Sequence, residues 1–163
     1  MIIRLLTEHD SIAELTALLH RAYGPLAAQG FRFFASHQSE DHTRQRASNG
    51  PCFVAEEDGV LIGTIVVFPG HADSRCEWYR NDGVWIFGQF GVEPALQRTG
   101  IGGALLDRAE EEARRQGARH LACDTAEGAT HLISYYTSRG FLPVGSVRWE
   151  EVNYQSVVLS KEV

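Results

Sequence analysis

The chain has 163 residues and a formal net charge of −6, and 44% of its residues are hydrophobic against 22% charged. This length and balance indicate one globular domain, residues 1–163, with a core of ordinary size. The acidic charge argues against broad nucleic-acid binding, which relies on basic surface, and no apolar run approaches the roughly 18–20 residues of a membrane span.

Hydrophobic residues recur with the periods of strands and helices along the chain. The predicted strands are residues 2–6, 52–56, 60–68, 84–92, 120–125, 141–147 and 153–159. The predicted helices are residues 12–24, 39–47, 102–116 and 129–139. A capping box at Ser11 and Glu14 begins the first helix, and Pro25 is expected to end it. Gly117 and Gly140 are expected to end the last two.

The order of these elements predicts the kind of sheet. Asp58-Gly59 between two apolar runs is the strongest short signal for a β-hairpin. A strand, a helix and a strand over residues 84–125 imply one parallel pair. Gly88 and Gly91 inside a strand suggest a bulge or a close approach by another backbone or a ligand. The expected fold is α/β, with a mixed, mostly antiparallel central sheet of about six to seven strands and helices on both faces.

Charged residues on the third helix are expected to form i,i+4 pairs on its solvent side, Glu110 with Arg114 and Glu111 with Arg115. All basic residues of the chain are arginines except Lys161. This composition matters for the choice of cofactor.

A glycine-rich segment precedes that helix: Gln97-Arg98-Thr99-Gly100-Ile101-Gly102-Gly103. A helix N-terminus offers free backbone N–H groups, glycine lets a phosphate approach them, and Arg98 adds a pairing cation. A Walker P-loop and a pyridoxal phosphate site each need a lysine, but Lys161 lies at the far end of the chain. A Rossmann fingerprint fails because Leu105 takes its third glycine position. Coenzyme A remains.

Two motifs resemble one known family. Val92-Glu93-Pro94 followed by the glycine-rich segment resembles the acetyl-CoA signature of the GNAT superfamily of N-acetyltransferases. Tyr136-Thr137-Ser138-Arg139-Gly140-Phe141 resembles the Tyr-x-x-x-Gly-Phe block of the same superfamily. The order of elements is similar along nearly the whole chain. The resemblance implies acetyl transfer from acetyl-CoA and a GNAT-like sheet whose central parallel strands splay apart.

The resemblance also implies where the cofactor binds. The pantetheine arm would lie along Phe90, Gly91 and Val92, and the pyrophosphate would rest on the segment 97–103. Ala129 stands where many relatives have an asparagine. One of three neighbours would supply a polar group in place of that asparagine: Thr130, His131 or Ser134.

Catalysis would follow direct attack of an amine on the thioester. The resemblance assigns Tyr136 as the general acid that protonates the departing CoA thiolate. Tyr135 is its neighbour, and because adjacent helical residues point in different directions, only Tyr136 is expected to face the slot. A neutral amine is needed, so a base or a water chain is also expected. The candidates by position are Glu93, Asp124, Glu127 and His131.

The acceptor is predicted to be a small primary amine. A positive charge on it is expected from carboxylates in the segments thought to surround the pocket: Asp73, Glu77, Asp82 and Glu127. Aromatic residues over 23–34 suggest a walled pocket. Residues near the C-terminus are predicted to line it, or else to form a sheet edge or homodimer contact: Trp149, Asn153, Tyr154 and Ser156.

Two other functions remain open, a non-catalytic acyl-CoA sensor and a protein N-acetyltransferase. No metal is expected, because the histidines lack ligand spacing and the three cysteines are far apart. The beginning of the chain lacks the basic leader and long apolar stretch of a signal peptide, which predicts a cytoplasmic location.

Overall fold

A computed structural model describes residues 1–163, which form one mixed sheet and four α-helices. The strands are β1 (Ile2–Leu5), β2 (Cys52–Glu57), β3 (Val60–Pro69), β4 (Val84–Val92), β5 (His120–Ala126), β6 (Leu142–Val147) and β7 (Ser156–Glu162). The helices are α1 (Ile12–Ala28), α2 (Glu40–Ala47), α3 (Ile101–Arg115) and α4 (Thr130–Ser138). Short 3₁₀ turns cover Phe34–Ser36, Trp78–Arg80 and Pro94–Leu96. The predicted fold class and order of elements are confirmed.

The sheet runs β1-β2-β3-β4-β5-β7-β6, and only β4 and β5 are parallel neighbours. Asp58 and Gly59 both have positive φ, 51° and 79°, as a tight hairpin between β2 and β3 requires. Pairing between β4 and β5 covers only Val84–Ile86 against His120–Ala122. Beyond this short ladder β4 keeps β3 as its neighbour and β5 keeps β7, so the sheet opens between them.

Alternation along β2 shows how helices cover both faces of the sheet. Phe53 packs in a core with Leu105 and Leu106 of α3, whereas its neighbour Val54 packs with Leu15 of α1. Successive side chains of a strand point to opposite faces. The predicted arrangement of helices on both faces is therefore confirmed.

The predicted end of α1 at Pro25 is wrong, because the helix continues to Ala28. Leu26 is buried against Ala126 and Ala129, and this packing offsets the hydrogen bond that the proline cannot donate. Gly30 ends the helix instead. Its φ is 93°, and its N–H donates a hydrogen bond to the Ala27 carbonyl. Gly117 and Gly140 end α3 and α4 in the same left-handed conformation, as predicted.

The surface pairs expected on α3 are only partly present. Glu110 pairs with Arg114 at 3.2 Å, but it is buried and also accepts hydrogen bonds of 2.8 and 3.0 Å from Lys161 of β7. Glu111 pairs with Arg108 rather than with Arg115. Ion pairs at i,i+3 and at i,i+4 are both possible on a helix surface, and the sequence alone did not indicate which partner each side chain would take.

The glycines of β4 lie beside a β-bulge and at a close contact with a helix. Gln89 has φ 46°, and the pairing with β3 shifts register there, which is a β-bulge. At Gly91 a Cβ would stand 2.9 Å from the Cβ of Ala22, so α1 packs directly on the strand. The bulge bends β4 at the point where the sheet opens.

Candidate active site

A cavity of about 1410 Å³ fills the opening between β4 and β5. Its wall includes the glycine turn and α4 at one end. Its other end is formed by residues of α1, α2 and the loop between β6 and β7. Residues of both ends line one continuous space. A donor and an acceptor molecule can therefore meet inside it.

The glycine turn presents a run of free backbone donors. None of the N–H groups of residues 98–103 donates to a protein acceptor, and the first helical bond of α3 runs from Ala104 to Gly100 at 3.0 Å. Arg98 and Gly100 both have positive φ, 65° and 95°. Alternating left- and right-handed conformations of this kind form a concave anion-binding nest. The turn has the hydrogen-bonding capacity that a pyrophosphate requires.

Most of the predicted residues of the turn line the cavity, but two do not. Gln97, Arg98, Gly100, Gly102 and Gly103 are in the wall. Thr99 turns its hydroxyl back to the Leu96 carbonyl at 2.5 Å, and the Ile101 side chain is buried in the core under α3. Those two can contribute only backbone N–H groups to a ligand in the cavity.

Gln97 also anchors the turn to the strand before it. Its side-chain amide donates a hydrogen bond of 3.2 Å to the Val92 carbonyl. Arg98 forms no ion pair within 4.0 Å, so its guanidinium is free for an anion. Arg139 contacts the Gly103 carbonyl and pairs with Asp107, which places a second arginine beside the turn. The sequence reasoning missed Arg139 as a wall residue, although it lies inside the Tyr-x-x-x-Gly-Phe block.

Phe90, Gly91 and Val92 form the β4 side of the cavity. The Tyr23 hydroxyl donates to the Phe90 carbonyl at 2.7 Å, so this carbonyl already has a partner. Burial raises the pKa of Tyr23 to about 12, which keeps that hydroxyl a donor at neutral pH.

The tyrosines of α4 both reach the cavity wall, contrary to the expectation that only one would. Tyr136 packs edge-on against Phe141 and at a tilt against Phe87, is 8% exposed, and its hydroxyl forms no hydrogen bond with the protein. Burial raises the pKa of Tyr136 well above its ordinary value. Tyr135 has a buried hydroxyl without a partner. His131 and Ser134 also line the cavity, and Thr130 does not.

Among the four predicted base candidates, Asp124 and His131 lie in the cavity wall, and Glu93 and Glu127 lie outside it. Asp124 follows Ala122, the last β5 residue that pairs with β4. Its carboxylate accepts hydrogen bonds from the Tyr79 hydroxyl at 2.7 Å and the Trp149 indole N–H at 2.8 Å. Burial raises the pKa of Asp124, and these two hydrogen bonds partly oppose the increase. Glu93 instead pairs with Arg21 at 2.8 Å.

The other end of the cavity differs from the sequence prediction in its charges. None of the carboxylates expected to attract a cation lines it: Asp73, Glu77, Asp82 and Glu127. The carboxylates present are Asp124 and Glu151, and Arg46 of α2 stands with them in the wall. The sequence of α2 is typical of a short, highly charged surface helix, so it did not predict that Arg46 would line a cavity.

The expected aromatic wall is largely present. Tyr23, Phe33, Phe34, Trp149 and Tyr154 line the cavity. Asn153 instead bonds the Arg32 N–H and the Gly30 carbonyl, both at 3.0 Å, and Ser156 is buried in β7. No three His, Cys, Asp or Glu side chains are grouped as metal ligands, and no helix has the length and apolar character of a membrane span.

The open parallel pair and the nest of free amides are features expected of an α/β acyltransferase. Sequence comparison agrees: the model of the acetyltransferase (GNAT) family matches residues 13–141. The chain belongs to this family. It is 31% identical over 150 residues to S-(2-succino)cysteine N-acetyltransferase of Bacillus subtilis (strain 168), and the match covers 87% of this chain and 84% of the relative.

Solved structures show the same fold at lower identity. Ribosomal-protein-alanine N-acetyltransferase from Brucella melitensis superposes with a TM-score of 0.72 at 22% identity, over 100% of both chains. An aminoglycoside 6'-N-acetyltransferase complexed with coenzyme A gives 0.71 at 15% identity, over 99% of this chain and 97% of that one. These neighbours act on different acceptors, so the fold by itself leaves the acceptor open.

Proposed function

We propose that this chain transfers an acetyl group from acetyl-CoA to the primary amine of a small molecule by direct attack. The observation that carries the proposal is one continuous cavity with unpartnered amides at one end and a half-buried carboxylate at the splay of the sheet. Acetyl-CoA supplies the activated acetyl thioester. The curated relative supports a small acceptor, because its name gives an amino-acid derivative as the molecule acetylated.

The residues present fit the donor. The N–H groups of 98–103 and the free guanidinium of Arg98 hold the pyrophosphate, and Arg139 stands beside them. The β4 residues 90–92 and Ser134 of α4 flank the arm that leads from the pyrophosphate to the splay. A Cβ on Gly102 would stand 3.5 Å from the Phe90 ring, an ordinary van der Waals contact, so Gly102 lies directly beside this β4 residue.

Tyr136 supplies a proton to the departing thiolate. Its hydroxyl is protonated at neutral pH and no protein acceptor competes for that proton, although the raised pKa makes Tyr136 a weaker acid than an exposed tyrosine. A CoA thiolate has the basicity of an ordinary thiol, with a pKa near 8.5, and so benefits from protonation as it leaves.

Asp124 accepts the proton that the amine must lose. Its raised pKa makes it a stronger base than an exposed carboxylate, and Tyr79 and Trp149 fix its position. The negative charge also attracts the ammonium form of the acceptor into the cavity.

The test is acetyl transfer by the purified protein, measured as thiol release and as the mass of the acetylated product. The acceptor panel contains free amino acids, simple amines, aminoglycosides and a peptide with a free N-terminus. Transfer to small amines supports the proposal. Transfer only to the peptide would favour the protein-modifying alternative, and CoA binding without any transfer would favour the sensor.

A further inference from the structure

The arginine at the acceptor end of the cavity has no counter-ion. Three arginines line the wall: Arg139 pairs with Asp107, Arg98 belongs to the glycine turn, and Arg46 stands at the acceptor end. No carboxylate lies within 4.0 Å of Arg46. Burial lowers the pKa of Arg46, although the more distant negative charges of Asp124 and Glu151 partly oppose this. An unpaired guanidinium in such a place is costly unless something else binds it.

A buried hydrogen-bond network holds Arg46 in position. Its Nη1 donates to the Gln38 Oε1 at 2.6 Å, and the guanidinium stands 5.4 Å from the centre of the Phe34 ring. Arginine only donates, so this bond fixes the orientation of the Gln38 amide. The Gln38 Nε2 then donates to Gln89 at 2.6 Å and to Thr43 at 2.8 Å. The network uses one of the three nitrogens of Arg46.

The other two nitrogens of Arg46, which lines the cavity, have no hydrogen-bond partner in the protein. Nε and Nη2 donate to no protein acceptor, and Nη2 lies 3.7 Å from where a Cβ on Gly88 would stand. Gly88 is two residues beyond the last β4 residue that pairs with β5, so the free donors lie beside the splay. The same network leaves the buried Nε2 of Gln89 without a partner in the same wall. Unsatisfied donors of this kind call for an acceptor oxygen.

The chemistry of these donors selects a carboxylate. Two free N–H groups on a held guanidinium match the two oxygens of a carboxylate. Asp124 and Arg46 attract each other across the cavity without contact. A molecule with both a carboxylate and an amine can bind both residues at once, because its ammonium group pairs with Asp124 and its carboxylate pairs with Arg46. A phosphate dianion fits less well, since Asp124 repels its second charge.

We infer that the acceptor is an amino acid or a close amino-carboxylate analogue, bound with its carboxylate on Arg46 and its amine toward Asp124. This inference rests on the proposed acetyl transfer and specifies its substrate class. It also replaces the expectation of a cationic acceptor, because the carboxylates behind that expectation lie outside the cavity.

The test compares matched acceptors. L-Phenylalanine, L-methionine, L-glutamate and S-carboxymethylcysteine are each assayed against the corresponding α-carboxamide, with thiol release as the readout. For at least one pair, we expect kcat/KM to be about 10- to 100-fold higher for the acid, the range of a charged hydrogen bond. The amide has the more acidic ammonium group and hence more free amine, so intrinsic reactivity works against this result.

Variants of α2 show whether Arg46 causes the preference. Arg46→Gln should abolish the preference for the acid, chiefly through KM, while CoA affinity in calorimetry stays unchanged. Arg46→Lys keeps the charge and should retain a reduced preference. Arg44→Gln is the matched control, because Arg44 is exposed, pairs with Asp41 and lies outside this cavity.

The outcomes separate the two proposals. Equal turnover of acids and amides, or an unchanged preference in Arg46→Gln, overturns the carboxylate inference and leaves acetyl transfer intact. If no amine of the wider panel releases thiol while CoA still binds, the proposed transfer is wrong and the inference falls with it. An acid preference that Arg46→Gln removes and Arg44→Gln retains supports both.

Discussion

Tyr79 and Asp124 are joined by a hydrogen bond of 2.7 Å between the tyrosine hydroxyl and the carboxylate Oδ1, although 45 residues separate them in the chain. Tyr79 lies in the 3₁₀ turn before β4, and Asp124 lies on β5 where the two strands diverge. The bond holds a half-buried carboxylate at the splay, and its second oxygen accepts a hydrogen bond from Trp149. The proposed base is thereby positioned by two side chains that are themselves packed together.

Asp124→Asn should lower kcat/KM for a good amine by about 10²–10⁴-fold, because the amide cannot take a proton. The residual rate should keep rising at high pH as more of the amine is free in solution. Rate against pH measured for both proteins checks this. Glu127→Gln is the control, since Glu127 is exposed and outside the cavity, and it should behave like the wild type. A wild-type pH profile in Asp124→Asn would exclude this carboxylate as the base.

Tyr136→Phe should lower kcat by about 10²–10⁴-fold while CoA affinity changes little, because only the hydroxyl is lost. Tyr135→Phe is the matched comparison. It removes a buried hydroxyl that has no partner, so we expect kcat to be kept and stability to be unchanged or slightly higher. Steady-state rates and calorimetry on both variants provide the measurement. An unaltered kcat for Tyr136→Phe, with no pre-steady-state burst, would remove Tyr136 from the mechanism.

Gly102→Glu should abolish CoA binding, since it puts a side chain and a negative charge on the turn whose amides are free. Calorimetry with CoA is the direct measurement, after circular dichroism has shown that the variant folds. Gly145→Glu makes the same change on β6, where a Cβ has open space, and should leave affinity unchanged. Binding retained by Gly102→Glu would refute the assignment of the turn.

Asp10→Asn should destabilise the protein at pH 7 by about 1–2 kcal/mol, an effect that disappears in acid. Asp10 accepts two hydrogen bonds of 2.8 Å from Arg4, and this pairing lowers the pKa of Asp10 below its ordinary value. A lowered pKa gives stability that is fully present above about pH 4 and is lost as the pH falls through the lowered value.

Denaturation at pH 7 and near pH 3 tests the Asp10 prediction. The difference between the wild type and Asp10→Asn should shrink at the lower pH. Asp41→Asn is the control, because the Asp41 side chain is 95% exposed and its pair with Arg44 contributes little. A penalty for Asp10→Asn that is equal at both pH values would show that the charge is not its source.

Local sequence signals predicted the fold well wherever the cause was local. The Asp58-Gly59 turn and the glycine stops at Gly117 and Gly140 depend on backbone conformations that few residues adopt, so sequence identifies them directly. The helix end predicted at Pro25 was wrong because tertiary burial of Leu26 outweighed the local helix-breaking tendency of proline. The bulge at Gln89 was foreseen only as one of several meanings of the neighbouring glycines.

The donor side of the site was more predictable than the acceptor side. The turn 97–103 is contiguous in sequence, and helix-terminus chemistry gives it a meaning without tertiary information. Arg46 and Asp124 come from different elements, α2 and β5, and line the same cavity only in the folded chain. Asp124 was a candidate from its position in the sequence, whereas the role proposed for Arg46 depends on an absent counter-ion, which sequence spacing does not indicate.

The ion pair between Lys161 and Glu110 has a practical consequence for labelling. Lys161 is the single lysine side chain, it is 25% exposed, and its charge is paired with Glu110 beside the ring of Phe141. An amine-reactive ester or anhydride therefore has few amino groups to react with besides the α-amino group at the chain terminus. Self-acetylation should add at most a minor background to a radiolabel transfer assay, because these 163 residues include a single lysine.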